Sequence, residues 1–260
     1  MLSAEACALY NDLFDKAENA VADDSTLLMR VRRSRLALQF SQLEIARTEK
    51  DSDPKQTEEL LNLFEQRVKE YNIPAINERN NPPTDYCQLY RERYLPHDDG
   101  NNIARGCKVS YEPEPPMPYK NIAPTALTDG LFGGATYVDS WVGWEGIDAS
   151  IVLDLGKEQT FHSVRADFLH QLGAWILLPK AVEYEVSNDG VNFTQLGNSA
   201  IVIKEDRDQQ VKFLWVEHRE PQPVTARYIR IKVTGTKQCP HWHYGVGNPC
   251  WFFLDEIEVK

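Results

Sequence analysis

Cys239, His241, His243 and Cys250 bring four metal- or redox-competent side chains close together near the C-terminal end of this chain. Their spacing matches no zinc-finger template, so zinc is not the expected occupant. Cys239 and Cys250 bracket a short loop, where a disulfide and a pair of free thiols remain alternatives, because spacing does not establish bond geometry. The other cysteines, Cys7, Cys87 and Cys107, are scattered and leave the total odd. Arg30, Arg32, Arg33 and Arg35 form a second cluster that suits a polyanion, but acids such as Glu44 and Glu49 can neutralise it. A solvated, salt-bridged face is the preferred reading. Glycoside hydrolysis needs two carboxylates across a fixed gap, and no motif singles out such a pair; Asp154 and Glu183 sit in strand-like text. There is no Gly-x-Ser-x-Gly elbow and no glycine-rich phosphate loop. No catalytic residue is assigned.

These groups must be positioned by elements, and the plainest element lies between Trp175 and Gly190. Val182, Tyr184 and Val186 alternate with charged residues, the period of a strand with one buried side. Asn188-Asp-Gly190 then supplies a tight turn, since glycine tolerates positive φ. The chain has 260 residues, enough for two ordinary domains, with 42% hydrophobic and 26% charged residues, a soluble globular balance. A net charge of −11 argues against nucleic acid or an anionic membrane surface as the main partner. No apolar run approaches the ~20 residues of a membrane span. The start, Met1-Leu-Ser-Ala-Glu-Ala-Cys-Ala8, lacks the basic and apolar regions of a signal peptide.

The first part has helical periods. Leu9, Leu13, Phe14, Ala17 and Val21 form one stripe, and Leu28, Val31, Leu38 and Ile45 are expected to face inward from a second helix capped by Asp24 or Ser25. Asp53-Pro54 starts a third helix, with Gln56 at its third position and Leu60, Leu61, Phe64, Val68 and Tyr71 inward. A shorter helix follows Pro82-Pro83-Thr84. After Pro96 the text changes to prolines and short alternating runs, which predict an antiparallel sandwich or jelly roll. The expected fold is α+β in two domains: a small helical bundle over 1–98 and a β-sandwich over 99–260. The runs Ser150–Leu155, Ser163–Phe168, Val211–Val216 and Tyr228–Val233 are predicted as separate strands.

Ordered motifs in the second part resemble the discoidin, or coagulation-factor type C, family, which also holds galactose-binding-like carbohydrate modules. Asn102-Ile-Ala-Arg-Gly-Cys-Lys-Val-Ser resembles its opening strand and Ala126-Leu-Thr-Asp-Gly130 its calcium turn. Ala149-Ser-Ile-Val-Leu-Asp-Leu-Gly156, Tyr184-Glu-Val-Ser-Asn-Asp-Gly-Val-Asn-Phe193, Ala226-Arg-Tyr-Ile-Arg-Ile231 and Leu254-Asp-Glu-Ile-Glu-Val259 follow in the family's order. The style of Gln171–Pro179 and Trp251–Ile257 is similar to versions fused to bacterial glycoside hydrolases. The resemblance implies a non-catalytic carbohydrate-binding region, the C-terminal portion of an exported polysaccharide-degrading protein with an upstream catalytic domain. A periplasmic, cell-surface or secreted location follows, with glycan or polysaccharide as partner. The alternative is a pair of structural domains buttressing a catalytic barrel.

The resemblance also implies a structural Ca²⁺ held by Asp129, Glu256 and the carbonyl of Ala126, an oxygen-only set suited to a hard cation. Gly133-Gly134-Ala-Thr136 departs from the family's next step, which leaves the remaining ligands open. Sugar contacts are expected from Tyr137, Trp141, His241, Trp242 and His243, with Trp141 and Trp242 as exposed platforms. Trp144, Trp175 and Pro179 are expected in the core, and Arg165 as a strand-face charge.

Overall fold

Ser3, Asp24 and Asp53 each turn a side-chain oxygen onto free N–H groups of a helix's first turn, and so set where three helices begin. The computed structural model describes residues 2–49, 52–77, 80–95, 100–117, 119, 124–138, 140–197 and 199–260. They fall into two compact units, Met1–His97 and Asp98–Lys260. The boundary expected at 98/99 lies among residues 96–99, outside the described residues.

The first unit comprises α1 (Ala4–Ala20), α2 (Ser25–Ala46), α3 (Pro54–Glu70) and α4 (Pro83–Leu89), the last running into a π-helical turn over Tyr90–Tyr94. Leu36, Leu43, Leu61, Phe64, Val68, Tyr86, Cys87 and Tyr90 form its core. α1 departs from the expected stripe: Leu9 is 59% and Leu13 49% exposed. Phe14, Ala17 and Val21 of that stripe are half-buried as expected, but Cys7, Asn11 and Glu18 join them in place of Leu9 and Leu13, and polar bonds select this face. Arg35 donates to Asp15 (2.7 Å), Glu18 (3.0 Å) and Asn11 (2.9 Å), and Arg32 to Glu18 (2.9 Å). The arginine cluster thus pairs with acids, as expected of a salt-bridged face, but chiefly with those of α1. No helix among the described residues is long and apolar enough to cross a membrane.

The second unit is one eight-stranded antiparallel sheet. Its strands are β1 (Lys108–Glu112), β2 (Val142–Glu145), β3 (Ala149–His170), β4 (Ala181–Ser187), β5 (Thr194–Gln195), β6 (Ile201–Val202), β7 (Lys212–Thr234) and β8 (Trp251–Val259). The order is β2-β8-β3-β7-β4-β5, with β1 on β3 and β6 on β4. Four runs predicted as separate strands are two long ones, β3 and β7, paired along most of their length. Their register shifts between Asp154 and Gln159 and between Phe161 and Ser163. The irregular stretch carries Gly156 at φ 78° on β3, and Pro221 and Pro223 on β7, which have no ladder N–H to donate. Such bulges bend a ladder without ending it.

The bend curls the sheet into two layers. Before it, β3 lies between β1 and β7; after it, between β8 and β7. Side chains from both halves share one core, with Ile151, Leu153, Tyr184, Ile229 and Ile231 from one and Trp144, Val164, Phe168, Phe252 and Leu254 from the other. β4 keeps its expected alternation: Val182 and Tyr184 are fully buried, while Glu183 and Glu185 face outward to Lys232 and Arg230. The turn after it forms as expected, with the Asp189 carboxylate accepting N–H bonds from Val191 and Asn192 at 2.8 Å.

Glu18 gives the helical unit an acid sensitivity. Burial raises its pKa, but hydrogen bonds from Arg32 and Arg35 outweigh burial and hold the carboxyl below its ordinary value. A carboxyl lowered in the folded state stabilises above its unfolded pKa, and that stabilisation is lost as pH falls through the folded value. Lowering the pH from about 5 to 3 should therefore cut the wild type's helical melting temperature more than that of Glu18→Gln. Far-UV circular dichroism melts read the difference; parallel curves would refute the coupling.

Candidate functional site

The last strand, β8, carries an unusual burden: Asp255 and Glu256 are 0% and 1% exposed. Consecutive buried acids need donors, and the 126–133 loop supplies them. The Gly130 N–H donates to Glu256 Oε1, and Gly133 N–H to Asp255 Oδ2 at 2.7 Å. Leu131 N–H donates to Asp129 Oδ1 (3.0 Å), and Ile257 N–H reaches back to the Leu127 carbonyl (2.8 Å). Gly130 has φ 71° and lies under Arg105, whose Nη1 stands 1.3 Å from where a Cβ would be.

Glu256 Oε2 is buried without a hydrogen-bond partner. Burial, then repulsion from Asp255, pushes the carboxyl well above its ordinary pKa; the Gly130 N–H opposes this, Asp129 adds to it and Arg105 opposes it. A cation at this turn would reverse that bias. Among the described residues, no group of three or more His, Cys, Asp or Glu side chains is arranged to hold a metal. A cation here would therefore need backbone carbonyls beside Asp129 and Glu256, and Ala126, 1% exposed, lies in the same loop.

Because β3 folds back on itself, residues flanking both its ends reach one rim. Gly146 and His170 line a single cleft of about 1060 Å³ with Lys180, Glu205, Lys237 and Cys239. Trp242 is half-buried on the cluster of Leu172, Leu177, Cys239 and Cys250, of which Leu177 and Cys239 also line the cleft. The Arg207 guanidinium lies 5.0 Å from the Trp242 ring centroid, and Arg207 pairs with Glu205 at 2.9 Å. His241 is exposed and within electrostatic reach of Glu205. The structure thus brings Trp242 and His241 together with charged groups from the 203–211 segment.

Other expected contacts fall elsewhere. Trp141 is 3% exposed, stacked on Phe213 at 6.0 Å, with its indole N–H on the Gly134 carbonyl (3.0 Å). It has no free ring face and is a core residue, not a platform. His243 is likewise buried: Nδ1 accepts from the Gly245 N–H (3.0 Å), so Nε2 carries the proton and donates to the Leu172 carbonyl (3.1 Å). Both nitrogens are committed to the backbone, which makes His243 a loop strut. Tyr137 is half-buried against Tyr119 (5.8 Å) and Phe253 (6.0 Å), around a hollow of about 60 Å³ also lined by Trp251.

Trp144 lies in the main core as expected, and Trp175 packs inward on the small cluster of Leu172, Leu177, Cys239 and Cys250. Trp175 sits at φ 61°, half-buried, its ring edge-on to Tyr244 at 6.1 Å. Tyr244 is 68% exposed and donates its hydroxyl to the Gly173 carbonyl (2.8 Å). Sequence reasoning passed over Glu205 and Arg207 because their segment has no periodicity; the charge run Lys204-Glu-Asp-Arg-Asp208 was its one signal. Arg165 pairs with Glu258 (2.8 Å) and covers Trp215 at 4.2 Å, a strand-face charge as expected. All five cysteines are free thiols, and Cys250 donates its thiol to the Thr236 carbonyl (2.5 Å).

With this geometry in place, the comparisons identify the class. The F5/8 type C domain family model matches residues 114–247, more than half of the chain, and the chain belongs to that family. No curated protein matches it. Among solved structures, a Ruminococcus gnavus GH29 fucosidase in complex with fucose is 18% identical over 68% of this chain, with a TM-score of 0.39. A chitosan-binding module from a Paenibacillus sp. IK-5 chitosanase/glucanase is 19% identical over 61% of this chain and 98% of its own, with a TM-score of 0.38. A Clostridium perfringens CBM32 module in complex with GalNAc-β-1,3-galactose is 18% identical over 59% and 94%, with a TM-score of 0.36. The match spans 29% of the fucosidase chain's length.

Gly130→Ala should destabilise the second unit by about 1–2 kcal/mol, the cost of a side chain in the left-handed region, because its methyl also displaces Arg105. Urea titration measures this; an unchanged midpoint would show that the turn relaxes freely.

Proposed function

We propose that this chain is a non-catalytic carbohydrate-binding region of a larger, exported polysaccharide-degrading protein. The cleft beside Trp242 carries the reading. A sugar ring presents an apolar face that packs on an aromatic ring, while its hydroxyls need several convergent polar groups. Trp242 offers the first, and Lys180, Glu205 and Lys237 the second. The site holds its glycan by stacking and hydrogen bonding, with no group set to attack a glycosidic bond. Such a module keeps an upstream catalytic domain near a multivalent substrate, so weak affinity for a single sugar suffices. A periplasmic, cell-surface or secreted location fits this role.

Titration calorimetry of the chain against neutral, acidic and amino-sugar oligosaccharides tests the reading. One class should bind, and Trp242→Ala should weaken it at least ~10-fold, since truncating an anchoring aromatic costs about 2 kcal/mol or more. Failure to bind any of them would favour the second reading, in which the sheet buttresses a catalytic barrel. The burial of Trp141 and His243, which packs part of the loop region, is the observation on that side.

The acid turn is assigned to a structural calcium ion, held by Asp129, Glu256 and the Ala126 carbonyl. The fit rests on the unpartnered, buried Glu256 Oε2 and on an all-oxygen donor set. When bound, the ion would supply positive charge beside two neighbouring buried acids. The chain's part is to hold the loop on β8 through the Gly130 and Gly133 N–H groups. Calcium at ~100 times its dissociation constant should raise the melting temperature of the second unit by about 5–10 °C over EGTA, and Glu256→Gln should abolish the rise. Identical melts of the wild type in both media would exclude the site.

A further inference from the structure

We propose that the cleft beside Trp242 selects an anionic sugar, one carrying a carboxylate or a sulfate, through Lys180 and Lys204. The proposal rests on the carbohydrate-binding reading above and names its ligand class. Lys180, Lys204 and Lys237 line the cleft together with Glu145, Glu205 and Asp206, but their commitments differ. Glu205 pairs with Arg207 (2.9 Å) and Asp206 with Lys212 (2.6 Å). Lys237 pairs with Asp148 (2.8 Å), yet both side chains are half exposed, so that pair is weak and opens readily. Among the described residues, Lys180 and Lys204 have no ion-pair partner.

The backbone brings these two lysines to one cleft. Ile203 N–H donates to the Lys180 carbonyl (2.9 Å) and Lys180 N–H to the Thr234 carbonyl (2.7 Å), which sets Lys180 beside the start of the Lys204–Asp208 run. The far end of that run is tied down. Lys212 takes both Asp206 and Asp208 (3.0 Å), and His170, 1% exposed, donates Nε2–H to the Asp208 carbonyl (3.1 Å). The run's acids are thus spent on Arg207 and Lys212, and Lys204 is left unneutralised. A concave site focuses the field of such charges, and an anionic group on the ligand meets them. The net charge of −11 does not cancel this, since charges beyond roughly 10 Å are screened at 0.1 M salt. Lysine is a compact point charge without arginine's planar fork, so carboxylate and sulfate both suit it. Glu145 is the lining acid with no ion-pair partner among the described residues, and it opposes the lysines.

Titration calorimetry of the full chain tests this with two matched pairs: a uronic-acid trisaccharide and its methyl ester, and a sulfated galactose trisaccharide and its unsulfated form. In at least one pair the charged sugar should bind about tenfold more tightly than its neutral twin, because charge-assisted hydrogen bonds exceed neutral ones. The pair that shows the preference tells carboxylate from sulfate. Lys180→Met and Lys204→Met, both at exposed positions, should each shrink that ratio at least about threefold, and Glu145→Gln should widen it. Trp242→Ala should weaken both members of a pair alike and leave the ratio standing. Neutral sugars that bind as tightly as their charged twins overturn the anionic selectivity while the carbohydrate-binding reading stands. A charge preference that both lysine variants retain overturns the assignment to Lys180 and Lys204. If no sugar of either pair binds, and no neutral or amino-sugar oligosaccharide does, both readings fail together.

Discussion

β3 and β7 run beside each other through both layers of the second unit, and their shared bend is the constraint from which the remaining geometry follows. Two antiparallel strands of 22 and 23 residues would make a flat ribbon too long to enclose a core. Gly156 on one strand and Pro221 and Pro223 on the other interrupt the ladder near the middle, and the ribbon folds over. Each strand then contributes buried side chains to both halves of one core, which ties the layers together without a separate connection. The same fold-back carries the flanks of β3, Gly146 and His170, to one rim. The cleft is thus a consequence of the bend, and its walls come from segments far apart in sequence.

A second dependence links the last strand to the acid turn. β8 pairs with β2 on one side and β3 on the other, so its backbone is satisfied by the sheet and its side chains fill the interior. Placing Asp255 and Glu256 there costs free energy unless N–H groups or positive charge meet them. The 126–133 loop supplies N–H groups, and Arg105 approaches from the segment before β1. The loop, β8 and that segment are consequently coupled through a few buried oxygens as well as through the apolar contacts of Ala104, Leu127 and Ile257.

The helical unit shows where pattern reading succeeds and where it fails. The caps at Asp24 and Asp53 and the inward run Leu61, Phe64 and Val68 were legible, because capping and helical spacing are local properties. The face of α1 was not. Phe14, Ala17 and Val21 of its apolar stripe lie inward, yet the pairing of Arg32 and Arg35 with Glu18, Asp15 and Asn11 turns the helix so that Leu9 and Leu13 are left exposed. Two faces of one helix were both plausible, and a neighbouring helix chose between them.

The same division runs through the second unit. Its antiparallel strands, the Asn188–Gly190 turn and the family membership are written in period-two text and ordered motifs, each a property of neighbouring residues. The fate of each aromatic and histidine was not written there. Trp141 and His243 are buried while Trp242 is half-buried and His241 exposed, although the residue types and loop settings are alike. Burial of a loop side chain depends on what the fold brings over it, and here Phe213 and the Leu172 carbonyl do so from distant segments. Glu205 joined the cleft and Arg207 the Trp242 ring for the same reason, through a stretch with no period to read. Sequence alone determined the strands, the turns and the chemical inventory; tertiary structure decided which members of that inventory meet, because the bend in β3 and β7 sets long-range proximity that no local spacing encodes.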